Sequence, residues 1–154
     1  MSLRRFMRVS AKAEYACRAV LELARCYKNT DVIQINEIAT RQVIPRKYLV
    51  QILLQLQRSG LVKSKRGASG GYMLAKAPAD ISLGDVVRTM DGSLMAIESI
   101  EGKVNGSNNR QGSGHHVLKE IWREVQDQLG FIMDGITFEE ICKRADKSSS
   151  MYHI

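Results

Sequence analysis

The sequence predicts a mainly helical fold that carries one small β-hairpin and ends on a long amphipathic helix. Three observations predict it. Apolar residues recur every three to four positions along most of the 154-residue chain, as in helices with one buried face. One pair of short strand-like runs flanks the glycine-rich loop Arg66-Gly67-Ala68-Ser69-Gly70-Gly71. The charge is divided: residues 1–76 carry a net +11 and residues 77–154 a net −4. Such a basic front half suits a polyanion and leaves the back half for another task.

Residues 10–28 form the first expected helix. Ser10 is a natural N-cap, and Tyr15, Ala19, Val20, Leu23, Ala24 and Tyr27 recur at helical spacing. Asn29-Thr30-Asp31 ends it, and the apolar run 32–35 is a candidate minor strand. Residues 36–42 form a short helix with Ile38 and Ala39 inward. Val43-Ile44-Pro45 is the turn, where proline suits the start of the next helix because its missing N–H costs nothing. That helix, 45–59, carries Tyr48, Leu49, Ile52, Leu53 and Leu56 on one side. Its other side shows Arg46, Lys47, Gln51, Gln55 and Arg58. Ser59-Gly60 stops it. Residues 61–65 and 72–75 are the strands, and Pro78 ends the second. Two short helices around a brief turn, followed directly by a hairpin, is the order of a winged helix-turn-helix.

Residues 81–90 read as a short amphipathic helix broken by Asp91-Gly92. The stretch 102–114, rich in Gly, Ser and Asn, reads as loop. A long helix over 116–133 carries Leu118, Ile121, Trp122, Val125, Leu129 and Ile132 along one stripe. Thr137 opens another helix, with Glu140 at a capping-box position. The expected organisation is therefore a winged helix-turn-helix over 7–92 and a flexible loop over 93–115. A dimerisation helix with its following short helix spans 116–146, and 147–154 is a tail. An apolar stripe this long needs a surface to cover. A second copy of the chain supplies one, which suits a reader of paired half-sites; packing on its own winged helix is the competing arrangement.

No run of about 18 apolar residues predicts a membrane span, and the basic N-terminus lacks the apolar stretch of a secretory signal. Three widely spaced cysteines, Cys17, Cys26 and Cys142, do not make a disulfide framework, so a reducing, cytoplasmic setting is expected. Cys17 and Cys26 read as small packing residues, and Cys142 as either a packing residue or a thiol open to oxidation.

Four stretches carry a resemblance: MRVSAKAEYA (7–16), KYLVQILLQLQRSGLVKSKRGASGGYMLAK (47–76), ISLGDVVRTMDG (81–92) and LKEIWREVQDQL (118–129). Together they resemble the IscR/CymR/NsrR family of bacterial winged-helix transcription regulators, over residues 7 to about 145. Family members begin at the position of Met7, so residues 1–6 read as an extension. The resemblance implies a homodimer that binds double-stranded DNA at palindromic operators, mostly as a repressor. Many members hold an iron–sulfur cluster on three cysteines in the loop corresponding to residues 102–116. That loop contains no cysteine here, so no cofactor is expected and the chain stands nearest the cluster-free, cysteine-metabolism (CymR-type) branch. The closing SMYHI resembles that branch's tail. Glu14 matches a position where some members use a carboxylate ligand. Without the cysteines it reads as part of the exposed face of the first helix. His115 and His116 are either a divalent-metal pair or two solvated histidines.

The residues expected to meet DNA are Arg46, Lys47, Tyr48 and Gln51 on the second helix of the motif, and Arg66, Gly67, Ser69 and Gly70 on the wing. Gln can pair with adenine, and Arg or Lys with guanine or phosphate; Tyr48 is either a groove residue or core. Gly67, Gly70 and Gly71 let the backbone take positive φ and come close to a duplex, so that a slim tip bearing Arg66 can enter the minor groove. The glycines sit between two strands, outside any strand-to-helix nucleotide loop. Ser69 lacks a nucleophile-elbow context, so no enzyme is expected. A protein-interaction module is the competing class. The expected effector is a metabolite, a partner enzyme of sulfur metabolism, or thiol oxidation.

Overall fold

A computed structural model describes residues 9–29, 31–94 and 113–152. In chain order it contains α1 (Ala11–Arg25), a 3-10 turn (Tyr27–Asn29), α2 (Ile35–Gln42), α3 (Arg46–Arg58), β1 (Val62–Lys65) and β2 (Gly71–Leu74). A second 3-10 turn (Pro78–Asp80), α4 (Leu83–Asp91), α5 (Ser113–Asp134) and α6 (Phe138–Met151) follow.

The core is built around α1. Ser10 caps it as expected, its hydroxyl accepting from the Ala13 N–H at 3.0 Å. Ala13, Ala16 and Ala19 are fully buried, and side chains this small let α3 and α4 approach closely. From α3, Leu49, Ile52, Leu53 and Leu56 are fully buried, each worth about 1.5–3 kcal/mol of apolar transfer. Leu61, Val62 and Leu74 close the core beneath the hairpin.

The strands pair antiparallel, Val62 opposite Leu74 and Lys65 opposite Gly71. The apolar run 32–35 contributes a single bridge, Ile33 to Tyr72, with N–O distances of 2.9 and 2.8 Å. Ile35 already begins α2, so the run cannot extend into a strand.

The second half departs from expectation in three places. First, α5 begins at Ser113, three residues before the expected start at His116, which puts His115 on its first turn and not in a loop. Second, α6 continues to Met151, so residues 147–151 are helical where a tail was expected. Third, α6 belongs to the winged-helix core and not to a separate 116–146 unit. Phe138 is 1% exposed among the core side chains, its N–H donates to the Ile81 carbonyl at 2.9 Å, and the Leu83 N–H donates to Ile136 at 2.8 Å. The cap at Thr137 is half formed: its hydroxyl accepts from the Glu140 N–H at 3.3 Å, while the Glu140 carboxylate is held by Arg144. The complete capping box stands at Ser82 and Asp85, opening α4.

Polar contacts tie α4 to its neighbours. The Ser10 N–H and hydroxyl both donate to the Asp91 carboxylate. Arg88 makes a two-pronged pair with Asp134 at the end of α5, at 2.7 and 2.8 Å. Gly84 makes room for it, since a Cβ there would lie 2.1 Å from Asp134 Oδ1.

Candidate nucleic-acid interface

The turn between α2 and α3 is held from below. Glu22, buried on α1, accepts from Arg41 Nη1 at 2.8 Å and from Gln42 Nε2 at 2.7 Å. Arg41 also pairs with Glu37. Val43 then adopts the left-handed conformation, φ 53°, which is unusual for a β-branched residue. The Ile44 N–H reaches back to Ala39 at 2.9 Å and the Ile44 side chain is buried, so the chain is committed to the turn before Pro45 starts α3.

Of the residues expected to meet DNA, Arg46, Lys47, Tyr48 and Gln51 are all exposed in the first two turns of α3. Tyr48 is 57% exposed, which removes it from the core. Gln55, expected on the exposed side, is half-buried. Val50 and Leu54 are exposed beside the polar residues and give the same helix an apolar component.

The wing tip is a tight turn, with the Gly70 N–H donating to the Gly67 carbonyl at 3.0 Å. Arg66, Gly67 and Ser69 are exposed, and Gly70 is half-buried. Only Gly67 of the three expected glycines has positive φ, at 113°. Gly70 and Gly71 are needed for close approach instead: a Cβ at Gly71 would lie 2.5 Å from the Ile33 carbonyl oxygen, and one at Gly70 2.2 Å from that of Lys65. The wing is joined to α3 by Gln57, which donates to the Ser64 hydroxyl at 3.1 Å.

The cations of this surface are unpaired and clustered. Five cations elsewhere sit on carboxylates, Arg18 on Glu14, Arg41 on Glu22, Arg88 on Asp134, Lys143 on Glu139 and Arg144 on Glu140, while others, such as Lys12, Arg25 and Arg123, make no ion pair among the described residues. Arg46, Lys47, Arg58, Lys63, Lys65 and Arg66 make no ion pair among the described residues. The sequence carries the cause: no Asp or Glu occurs between Glu37 and Asp80. Such a surface holds its positive potential uncompensated until a polyanion arrives.

On α5, Leu118, Ile121, Trp122, Val125 and Ile132 are all at least 40% exposed. Leu129 differs from the rest of the expected stripe, because it packs with buried Met133 against Ala13 and Val87 of its own chain. No helix among the described residues is long and apolar enough to cross a membrane.

The Rrf2 family model, described as an iron-dependent transcriptional regulator, matches residues 9–144. The chain belongs to the Rrf2 family. It is 37% identical over 136 residues to a Mycobacterium tuberculosis chain named as an HTH-type transcriptional regulator, covering 88% of this chain and 81% of that one. The structure is similar to T. potens IscR, with a TM-score of 0.72, 32% identity, and 95% and 96% of the two chains covered. It is equally similar in shape to CymR, the global cysteine regulator of B. subtilis, with a TM-score of 0.72, 26% identity, and 90% and 98% covered. These relatives are regulators, so this Rrf2 chain is a DNA-binding transcription regulator with a winged helix, and not an enzyme.

The iron in the Rrf2 description can be tested against the donors present. Cys17 and Cys26 pack on the core from α1 and its end, and Cys142 does so from α6. Burial, with Asp91 and Glu14 adding to it, pushes the Cys17 thiol up to about 11, and burial also raises Cys142. Cluster ligands must be thiolates, and burial disfavours the thiolate at Cys17 and Cys142. No group of three or more His, Cys, Asp or Glu converges among the described residues. His115 and His116 are neighbours on a helix and diverge by about 100°, and His116 lies 3.3 Å from Glu120. Among the described residues this donor set does not fit an iron–sulfur cluster.

Proposed function

We propose that this Rrf2 protein is a cytoplasmic homodimer that represses from a palindromic operator, works without an iron–sulfur cluster, and controls genes of sulfur or cysteine metabolism. The observation that carries the reading is the unpaired cationic surface of α3 and the wing. Each protomer sets α3 in the major groove, where Lys47 and Gln51, one helical turn apart, face base edges and Arg46 meets phosphate. The wing sets Arg66 in the adjacent minor groove, with the Ser69 hydroxyl and tip N–H groups on phosphates. The stripe Leu118, Ile121, Trp122, Val125 and Ile132 covers its counterpart on the second subunit. The likeness to the cysteine regulator CymR, and a donor set unsuited to a cluster, support sulfur control through a metabolite or a partner enzyme.

The test is operator binding across a range of salt concentrations. Arg66→Ala is expected to weaken binding and to flatten the log–log salt dependence by roughly one or two counterions per dimer. Unchanged binding would remove the wing from the interface. Anaerobically purified protein is expected to lack the visible absorption of an iron–sulfur centre, and a band there would overturn the cluster-free reading.

A further inference from the structure

The surface just described ends at α3 and the wing, but α1 reaches it too. The rings of Tyr15 and Tyr48 lie with centroids 6.4 Å apart and planes tilted by 31°. The Arg18 guanidinium lies 5.6 Å from the centroid of Tyr15, and Arg18 is itself held by Glu14 at 2.6 Å. Tyr15, Arg18 and Glu22 follow one another at spacings of three and four, so they share one face of α1. That face grips both sides of the turn: Glu22 holds Arg41 and Gln42 at the end of α2, and Tyr15 meets Tyr48 in the first turn of α3.

Tyr48 is mostly exposed, so burial does little to hold it, and its contact with Tyr15 restrains the ring. Gln51 is three residues on and shares its face of α3. Gln is suited to adenine N6 and N7, and the thymine opposite an adenine presents a methyl group in the same groove. An aromatic ring beside such a Gln is placed to cover that methyl.

We propose that Tyr48 and Gln51 together read an A·T pair or step in each half-site, Tyr48 covering a thymine methyl, and that Tyr15, backed by Arg18, is a positioning residue that fixes the Tyr48 ring. This rests on the reading that α3 enters the major groove. The test uses the full chain and a duplex selected by it from a random-sequence pool, with each thymine replaced in turn by deoxyuridine, which lacks only the methyl. One replacement per half-site is expected to weaken wild-type binding about fourfold, the factor that burial of one methyl group supplies. Tyr48→Ala is expected to bind more weakly and to be indifferent to that replacement. Tyr15→Leu should lose the same sensitivity, Tyr15→Phe should keep it, and the double variant should bind no more weakly than Tyr48→Ala alone.

If no thymine distinguishes wild type from Tyr48→Ala, or if the losses of Tyr15→Leu and Tyr48→Ala multiply, the proposal is overturned. Should Tyr15→Leu fail to fold, the deoxyuridine scan with the exposed-site variant Tyr48→Ala, together with Tyr15→Phe, still decides it. If the wild-type chain selects no duplex, or if Gln51→Ala and Arg66→Ala leave selected-duplex binding unchanged, the reading of α3 and the wing fails first.

Discussion

Helices α3 and α5 are both amphipathic, and they use their two faces in opposite ways. Within its own chain α3 buries Leu49, Ile52, Leu53 and Leu56, leaving Arg46, Lys47 and Gln51 to solvent with no carboxylate nearby in sequence. By contrast α5 buries little of its stripe: Leu129, beside Met133, packs on its own domain, and Trp122 and its apolar neighbours stay outside. The lesson is that the face a helix does not bury identifies its partner. An uncompensated cationic face calls for a polyanion, and an uncovered apolar face for another apolar face.

The comparison can be broken at α5 first, with the largest expected effect. Trp122→Asp is expected to shift the dimer to monomer, a loss of about 2–4 kcal/mol if Trp122 anchors the interface, read by analytical ultracentrifugation. The thermal midpoint of a dilute, already monomeric sample should move little. A large drop there would mean that the stripe packs on its own chain. On α3, Gln51→Ala is expected to cost about 1–3 kcal/mol of discrimination at a single base pair, read by competition among operator variants, with the salt dependence unchanged. A uniform loss across all sequences would reassign Gln51 to the phosphates.

The smallest effect sharpens the boundary between the two regions. Arg88 holds the Asp134 carboxyl below its ordinary range. A carboxyl whose folded pKa is depressed contributes stability above its unfolded value, near pH 4, and loses it as the pH falls through the folded one. Both side chains are more than a third exposed, so the contribution is at most about 1 kcal/mol. Asp134→Asn should lower the thermal midpoint slightly at neutral pH and converge with wild type in acid. A gap that persists in acid would show that the charge pair is not what the substitution removed.

Much of this architecture was legible in the sequence because its signals are local. Helical spacing marked α1, α3 and α5, Ser10 marked a cap, and the glycine-rich loop between short strands marked the wing. The gap in acidic residues between Glu37 and Asp80 was equally local and would have marked the unpaired surface. What escaped depends on contacts between distant segments. Periodicity gave no sign that Phe138 enters the winged-helix core, that Glu22 clamps the end of α2, or that Gly84 makes room for Arg88 and Asp134. The wing glycines show the same limit. Composition allowed positive φ at all three, and only the structure assigns it to Gly67 and gives Gly70 and Gly71 close approach to the Lys65 and Ile33 carbonyls.

By itself the sequence determined the order of elements, the distribution of charge and the absence of cysteine from residues 102–116, because each is a property of neighbouring residues. The tertiary structure decided which side chains are spent inside the chain and which are left for a partner. Tyr48 could have been core on spacing alone, and only the folded structure puts it outside, with its ring beside Tyr15. Leu129 and Ile132 belong to one stripe in the sequence, and only packing turns the first inward and leaves the second exposed. Burial is settled by what lies across a contact, and no local pattern encodes that.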